Sequence, residues 1–297
     1  MAVTAPPSAR PTPVSPGRPT PVRRDRNSVF FRIGLTVASV AFLYPFWWVL
    51  TASLKPRSQV FDNLILPRNW AFANYLKITD AAPVWTWFVN SVTVAIAAAV
   101  AVTISSAMVA WAFAYYRFPG RNGWFGLVLA TMMLPGAVTM IPVYLIWNSV
   151  GLATTQVPLW ATNLFGSAFY IFLLRQFFLG LPRDLFEAAR IDGVGHFGLF
   201  WRIAVPLCKP ALIVTFVFEL KASWSDLLKP LIYLRDVELF TLPRGLKAIS
   251  DRFGQAGEQQ WEIVLAGSVI TVLPMVIVFF LAQRHFIHGI ATQGRKG

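Results

Sequence analysis

Cysteine is almost absent: the 297 residues hold one, Cys208, so no internal disulfide can form. Histidine is nearly as scarce, and no Cys/His spacing suits a metal site. His285 and His288 stand three apart without a third ligand nearby, which reads as an interfacial pair, and His196 reads as a surface residue. No convergent His, Asp, Glu or Ser constellation marks a catalytic centre. No GxxxxGK[ST] phosphate loop occurs, which excludes ATP hydrolysis in this chain by the usual P-loop route. Charge of either sign is sparse, at 13% of residues, and a chain so poor in charge is not an ordinary soluble globule.

What fills the chain is apolar. Hydrophobic residues make up 56% and the mean hydropathy is +0.57, so the fold expected is all-α and polytopic, with six transmembrane helices. Residues 1–28 hold seven of the 21 prolines with Arg10, Arg18, Arg23, Arg24 and Arg26, and read as a disordered basic tail. Residues 29–297 read as the six-span membrane body. The apolar runs place spans near 29–54, 88–114, 124–147, 157–178, 210–234 and 261–282. The first lacks a convincing cleavage site and reads as an uncleaved span. The second is rich in Ala, Val, Ser and Thr, which let helices approach closely in lipid. Pro135 and Pro142 are expected to bend the third. Residues 55–86 read as a mixed loop with interfacial aromatics, and 235–260 as a soluble connector.

The net charge of +13 might suggest nucleic acid, but the basic residues flank apolar segments and form no stripe with interleaved aromatics. They set topology instead. With both termini, the Arg117 loop and the 181–210 stretch on one side, that side carries 15 Lys and Arg against 8 opposite. The richer side is expected to be cytoplasmic, with both termini inside.

Residues 181–210 are a polar interruption between apolar segments. Pro182 suits a first helical turn, Asp184 and Glu187 place negative charge at the positive end of the dipole, and Leu185, Ala188, Ala189 and Asp192 share one face. Gly193 is the expected left-handed stop. A second amphipathic segment, 197–205, runs to Pro206, which ends or kinks it. The two alanines leave a thin face that a partner's groove accepts closely.

Glu187, Ala188 and Ala189, with Asp192, Gly193, Ile203, Pro206 and Pro210, resemble the EAA loop of the inner-membrane permease subunits of ATP-binding-cassette importers. Val194 departs mildly from the family's usual alanine. In that family the loop is a cytoplasmic coupling helix that docks into a cleft on the ATPase. The resemblance covers the chain from about residue 29 to the end, with a transmembrane core near 86–283. Trp224, Ser225, Asp226 and Pro230-Leu231 resemble a Trp-Asn-Asp/Glu-x-x-x-Pro-Leu pattern of sugar-importing permeases. Phe240 to Pro243 and Gln283 to Phe286 with Gly289 are similar to the maltose-type, MalG-like subfamily. Ser225 and Lys229 depart from the pattern, which bears on the substrate more than on the transport class. The resemblance implies a second, MalF-like permease, two copies of an ATPase subunit that bind ATP and Mg, and an extracytoplasmic substrate-binding protein. It implies no cofactor, metal or nucleic acid for this chain itself.

Glu219, Lys221, Asp226 and Lys229 interrupt the fifth run. A central Lys or Asp costs about 2.5–3.5 kcal/mol on insertion scales, so these side chains should not face lipid. Asp226 and Lys229 are three apart and can pair on one helix face, whereas Lys221 needs a partner elsewhere. Two readings stand: ion pairs that fix packing, or a translocation path bordered by Glu219, Lys221, Trp224 and Asp226, with Trp224 offering a flat face for sugar rings. The outer segment is expected to meet the binding protein through a flexible tip, Phe253, Gly254, Gln255, Ala256 and Gly257. The cargo implied is a sugar or oligosaccharide, with glycerol 3-phosphate or a polyol as the alternative. An ion-coupled secondary transporter is a more distant reading, because it needs ionisable residues in several spans, and here only the fifth has more than an isolated charge.

Overall fold

The computed structural model describes residues 26–62, 64–254 and 259–291. The expected tail lies outside them, apart from its last three residues, which open the first helix α1 (Arg26–Ser53). Within α1 the hydroxyls are satisfied by the helix's own backbone: Thr36 Oγ1 donates to Arg32 O and Ser39 Oγ to Leu35 O. Residues up to Trp47 group as one compact unit and residues from Trp48 onward as another.

In the second unit, the expected loop after α1 holds a short 3₁₀ turn (Arg57–Gln59) and a helix, α2 (Ala73–Ala81). One buried lysine organises it. Lys55 Nζ donates to Asp62 Oδ1 at 2.5 Å and to Leu64 O at 2.8 Å, while Asn74 Nδ2 donates to the carbonyls of Ser53 and Lys55. The Lys55 hydrogen bond holds the Asp62 carboxyl below its usual range.

α3 (Val84–Tyr115) is the long central span, about 48 Å at 1.5 Å per residue. Its alanines, among them Ala95, Ala98, Ala99 and Ala110, are buried, which allows neighbouring helices to pack close. The third span is α4 (Arg121–Thr131) and α5 (Gly136–Ser149), set at 97° to each other. Pro135 causes the break: it caps α5 in extended geometry and has no N–H to continue α4. The expected bend is therefore a corner.

The fourth span breaks where no bend was expected. α6 (Val157–Ala161) and a 3₁₀ turn (Thr162–Phe165) meet α7 (Ala168–Leu179) at 41°, across Gly166 with φ +77°. The freed polar groups are taken by α3, since Ser105 Oγ donates to Asn163 O at 3.0 Å and Ser106 Oγ accepts from Ser167 N at 3.1 Å.

Next come α8 (Arg183–Ile191) and a helical run 196–207, made of α9 (His196–Gly198), a π-helical stretch Leu199–Ala204 and α10 (Val205–Leu207). The run stops one residue after Pro206, close to where the proline was expected to end or kink it. The run meets α11 (Lys209–Trp224) at 79°, with Cys208 between them. The expected fifth span, 210–234, also stops short. α11 ends at Trp224 and α12 (Leu228–Tyr233) restarts, because Pro230 lacks an N–H and fits only a first turn.

The supposed soluble connector contains α13 (Leu242–Phe253), and α14 (Trp261–Ala291) completes the chain. Among the described residues three helices, at Phe30–Ser53, Val84–Tyr115 and Trp261–Gln283, are long and apolar enough to cross a membrane outright, and with each of the three bent pairs taken as one span the number is six.

Two apolar cores form at opposite ends of α3. Trp87, Trp224, Tyr233, Phe240, Ile249 and Phe253 belong to one. Trp111, Phe113, Leu174, Phe178, Phe186 and Phe200 belong to the other.

Candidate functional site: an exposed coupling helix and a polar span

α8 has nine residues, too few to be stable alone in water. It is held by Phe186, whose ring lies 5.0 Å from Trp111 and 5.4 Å from Tyr115 and is 2% exposed. Burying one such side chain contributes about 1.5–3 kcal/mol. Pro182 stands just before the helix as its extended cap, and Arg190 lies in its last turn, favourable for the dipole.

The end of α8 closes on Gly193 at φ +83°, as expected. Gly193 N donates to Arg190 O at 3.1 Å and Val194 N to Ala189 O at 2.9 Å, the two bonds of a Schellman turn. Backbone carbonyls thus take the turn's donors. The Asp192 carboxylate makes no hydrogen bond among the described residues. The following turn is tied to α3 by Tyr116 Oη and exposed His196 Nδ1, 3.2 Å apart.

The two alanines do not share an outer face. Ala189 is buried against the bundle, beside Leu199 and Phe200, while Ala188, Glu187, Asp192 and Gly193 are exposed. The outer face also carries Leu185 and Ile191, the latter 87% exposed, and Phe197 at 75% stands on the next run. The sequence alone places Leu185 on one face with the alanines; it does not single out Ile191 and Phe197, although Ile191 follows the EAA string by two residues. Ile203 is half-buried against the inner core, and Pro206 is exposed. An apolar surface rimmed by Glu187 and Asp192 suits a protein partner.

The fifth-span charges separate. Glu219 accepts from Asn163 Nδ2 at 2.6 Å and neighbours the Tyr170 hydroxyl, so it joins the break in the fourth span. Asn163 and Tyr170 were missed; an Asn three residues before a Gly inside an apolar run was the available signal. Asp226 lies between α11 and α12, not on a continuous span. It still meets Lys229, at 3.5 Å, and its Oδ1 accepts from Lys229 N at 3.3 Å. Lys221 is exposed and forms no ion pair among the described residues.

Trp224 does not present an open ring face in this structure. It is 5% exposed, its indole donates to Thr271 O at 3.1 Å, and Phe88 packs edge-on at 5.9 Å. A cleft of about 670 Å³ lies between α11, α13 and α14, lined by Lys221, Trp224, Ser225, Lys247, Ser268 and Thr271 among others.

The outer segment is more fixed than expected. Trp87 Nε1 donates to Val237 O, Asn90 Nδ2 to the carbonyls of Glu238 and Phe240, and Gln156 Nε2 to Leu239 O, all within 3.0 Å. Gly245 is pressed against Trp87, where an added Cβ would lie 2.0 Å from the ring. Phe253 and Gly254, expected in a flexible tip, are buried, and their carbonyls accept from Gln260 N and Gln259 N. Gln255, Ala256 and Gly257 lie outside the described residues. His285 and His288 lie outside the described side chains, and no group of three or more potential ligands occurs among the described residues.

Known proteins are similar to this chain in sequence and in fold. The arabinooligosaccharides transport system permease protein AraQ of Halalkalibacterium halodurans is 36% identical over 89% of this chain and 95% of its own. The sn-glycerol-3-phosphate transport system permease protein UgpE of Yersinia pestis is 32% identical over 88% of this chain and 95% of its own. A crystal structure of a bacterial ABC transporter involved in the import of the acidic polysaccharide alginate superposes with a TM-score of 0.79 at 25% identity, covering 91% of this chain and 100% of the other. The profile of the binding-protein-dependent transport system inner membrane component family matches residues 106–291, and the chain belongs to that family.

Proposed function

We propose that this chain forms half of the translocation pathway of an ATP-driven importer for a sugar or oligosaccharide, and takes its energy from a separate ATPase through α8. The exposed outer face of α8, with Leu185, Glu187, Ala188 and Ile191, is the observation that carries the reading. It is an apolar, acid-rimmed helix held rigidly on the bundle by Phe186 and Ala189, so a push on it moves α3 and α7 with it. A second permease, two ATPase copies that bind ATP and Mg, and an extracytoplasmic binding protein complete the assembly. The chain hydrolyses nothing itself and has no cofactor of its own.

The 15-to-8 bias of basic residues supports an orientation with α8 and both termini in the cytoplasm. α13 then lies on the outer side, toward the binding protein. Lys221 and the cleft beside it, with Trp224 in its wall, are the best-placed features for the path, while Glu219 braces the fourth-span break through Asn163 and Asp226 pairs with Lys229. Glycerol 3-phosphate is the second cargo reading, favoured by the likeness to UgpE. The chain, reconstituted in proteoliposomes with its second permease, ATPase and binding protein, is expected to take up a labelled oligosaccharide only with ATP. Uptake of glycerol 3-phosphate instead would change the cargo, and uptake driven by an ion gradient without ATP would reject the reading.

A further inference from the structure

A pocket of about 470 Å³ follows the end of α3, lined by Arg117, Arg121 and Arg183 with Gly120, Asn122 and Gly123. Three arginines line it, Arg117 from the turn after α3, Arg121 from the first position of α4 and Arg183 from the first position of α8. None forms an ion pair among the described residues; Arg121 is steadied by donating from Nη1 to Tyr116 O at 3.2 Å. Like charges gathered without a counter-charge repel one another, and an anion relieves that repulsion. A planar guanidinium matches the oxygens of a phosphate in particular.

The backbone adds to the same field. Gly120, at φ +72°, starts α4 without a capping side chain, and the N–H groups of Asn122 and Gly123 have no acceptor among the described residues. Apolar surface flanks the polar floor: Phe118 is 38% and Trp124 60% exposed. A free phosphate has no use for those rings, whereas a lipid lays its glycerol and upper acyl chain on them. The pocket also stands where the third span begins.

We propose that this pocket holds the phosphate of an anionic phospholipid from the inner leaflet. The proposal rests on the orientation argued above, which puts the α3–α4 turn in the cytoplasm, where anionic lipid concentrates.

The test uses the chain assembled with its partner subunits in phosphatidylcholine nanodiscs carrying trace spin-labelled phosphatidylglycerol or spin-labelled phosphatidylcholine. The immobilised fraction is expected to favour phosphatidylglycerol. Arg117→Gln with Arg183→Gln, which leaves the Arg121 bond to Tyr116 intact, should lower that preference by about fivefold per arginine. Lysine at both positions should restore most of it, and Arg202→Gln, outside the pocket, should leave it unchanged. An unchanged preference in the double glutamine variant overturns the site. Displacement of the labelled lipid by inorganic phosphate overturns the lipid assignment in favour of a free anion. The orientation is read separately, with Asn122→Cys and an impermeant thiol reagent. Labelling from outside rejects the orientation whatever the lipid result, and labelling from inside with no lipid preference rejects the lipid site alone.

Discussion

Replacing Gly193 with valine tests the turn that ends α8. At φ +83° the residue sits in left-handed backbone, and a Cβ placed there meets nothing within 4 Å. The cost is therefore conformational alone, about 1–2 kcal/mol for an L residue and more for a β-branched one. If the backbone yields instead, the bonds from Gly193 N to Arg190 O and from Val194 N to Ala189 O are lost, at about 0.5–1.5 kcal/mol each. The first route disfavours the docked geometry by a factor of about 5–30, and the second, at about 1–3 kcal/mol for the two bonds together, by about 5–160. Phe186 and Ala189 keep their packing, so assembly should survive while coupling falls. ATP hydrolysis stimulated by the loaded binding protein, and uptake in proteoliposomes, should both drop several-fold with little change in complex yield. Gly193→Asn is the control, because asparagine tolerates the left-handed region, and it should lose much less. Gly193→Val that assembles and transports at the wild-type rate, or equal losses for both variants, would refute the reasoning.

Three further outcomes are expected. Asp62 is held below its usual range by Lys55, so its contribution to stability is present above the unfolded carboxylate value of about 3.9 and is lost as pH falls through the lower folded value. Melting curves of Asp62→Asn and wild type should differ near neutral pH and converge at acid pH; a constant gap would contradict this. Gly245→Ala should destabilise by about 1–3 kcal/mol, because its Cβ would sit 2.0 Å from the Trp87 ring, and an unchanged melting temperature would count against that contact. Lys221→Met should assemble normally and alter uptake, since Lys221 borders the cleft and forms no ion pair among the described residues. Lost assembly would return it to a packing role, and normal uptake would remove it from both.

What the sequence revealed was local chemistry. Gly193 announced its turn because only a residue without a Cβ enters that backbone region cheaply, and α3 announced itself by an unbroken apolar run rich in alanine. Pro135 marked the corner between α4 and α5, but no local rule fixes an angle of 97°. Other features depended on partners distant in sequence. Gly166 breaks the fourth span only because Ser105 and Ser106 of α3 satisfy the exposed backbone groups. Trp224 read as an open platform by residue type, and its burial follows from Thr271 and Phe88, which no spacing rule pairs with it. The same holds at α8, where helical periodicity grouped Ala188 with Ala189, although the aromatic bed beneath Phe186 draws Ala189 inward.

The central claim is that α8 is the contact through which an ATPase drives this chain, and site-specific photo-crosslinking tests it most directly. Benzoylphenylalanine at Ile191, 87% exposed on α8, is compared with the same probe at Trp85, 73% exposed at the opposite end of α3. In membranes containing the assembled complex, the probe at Ile191 is predicted to form an adduct with the ATPase subunit and the probe at Trp85 none. No ATPase adduct at Ile191, or an equal one at Trp85, would contradict the account.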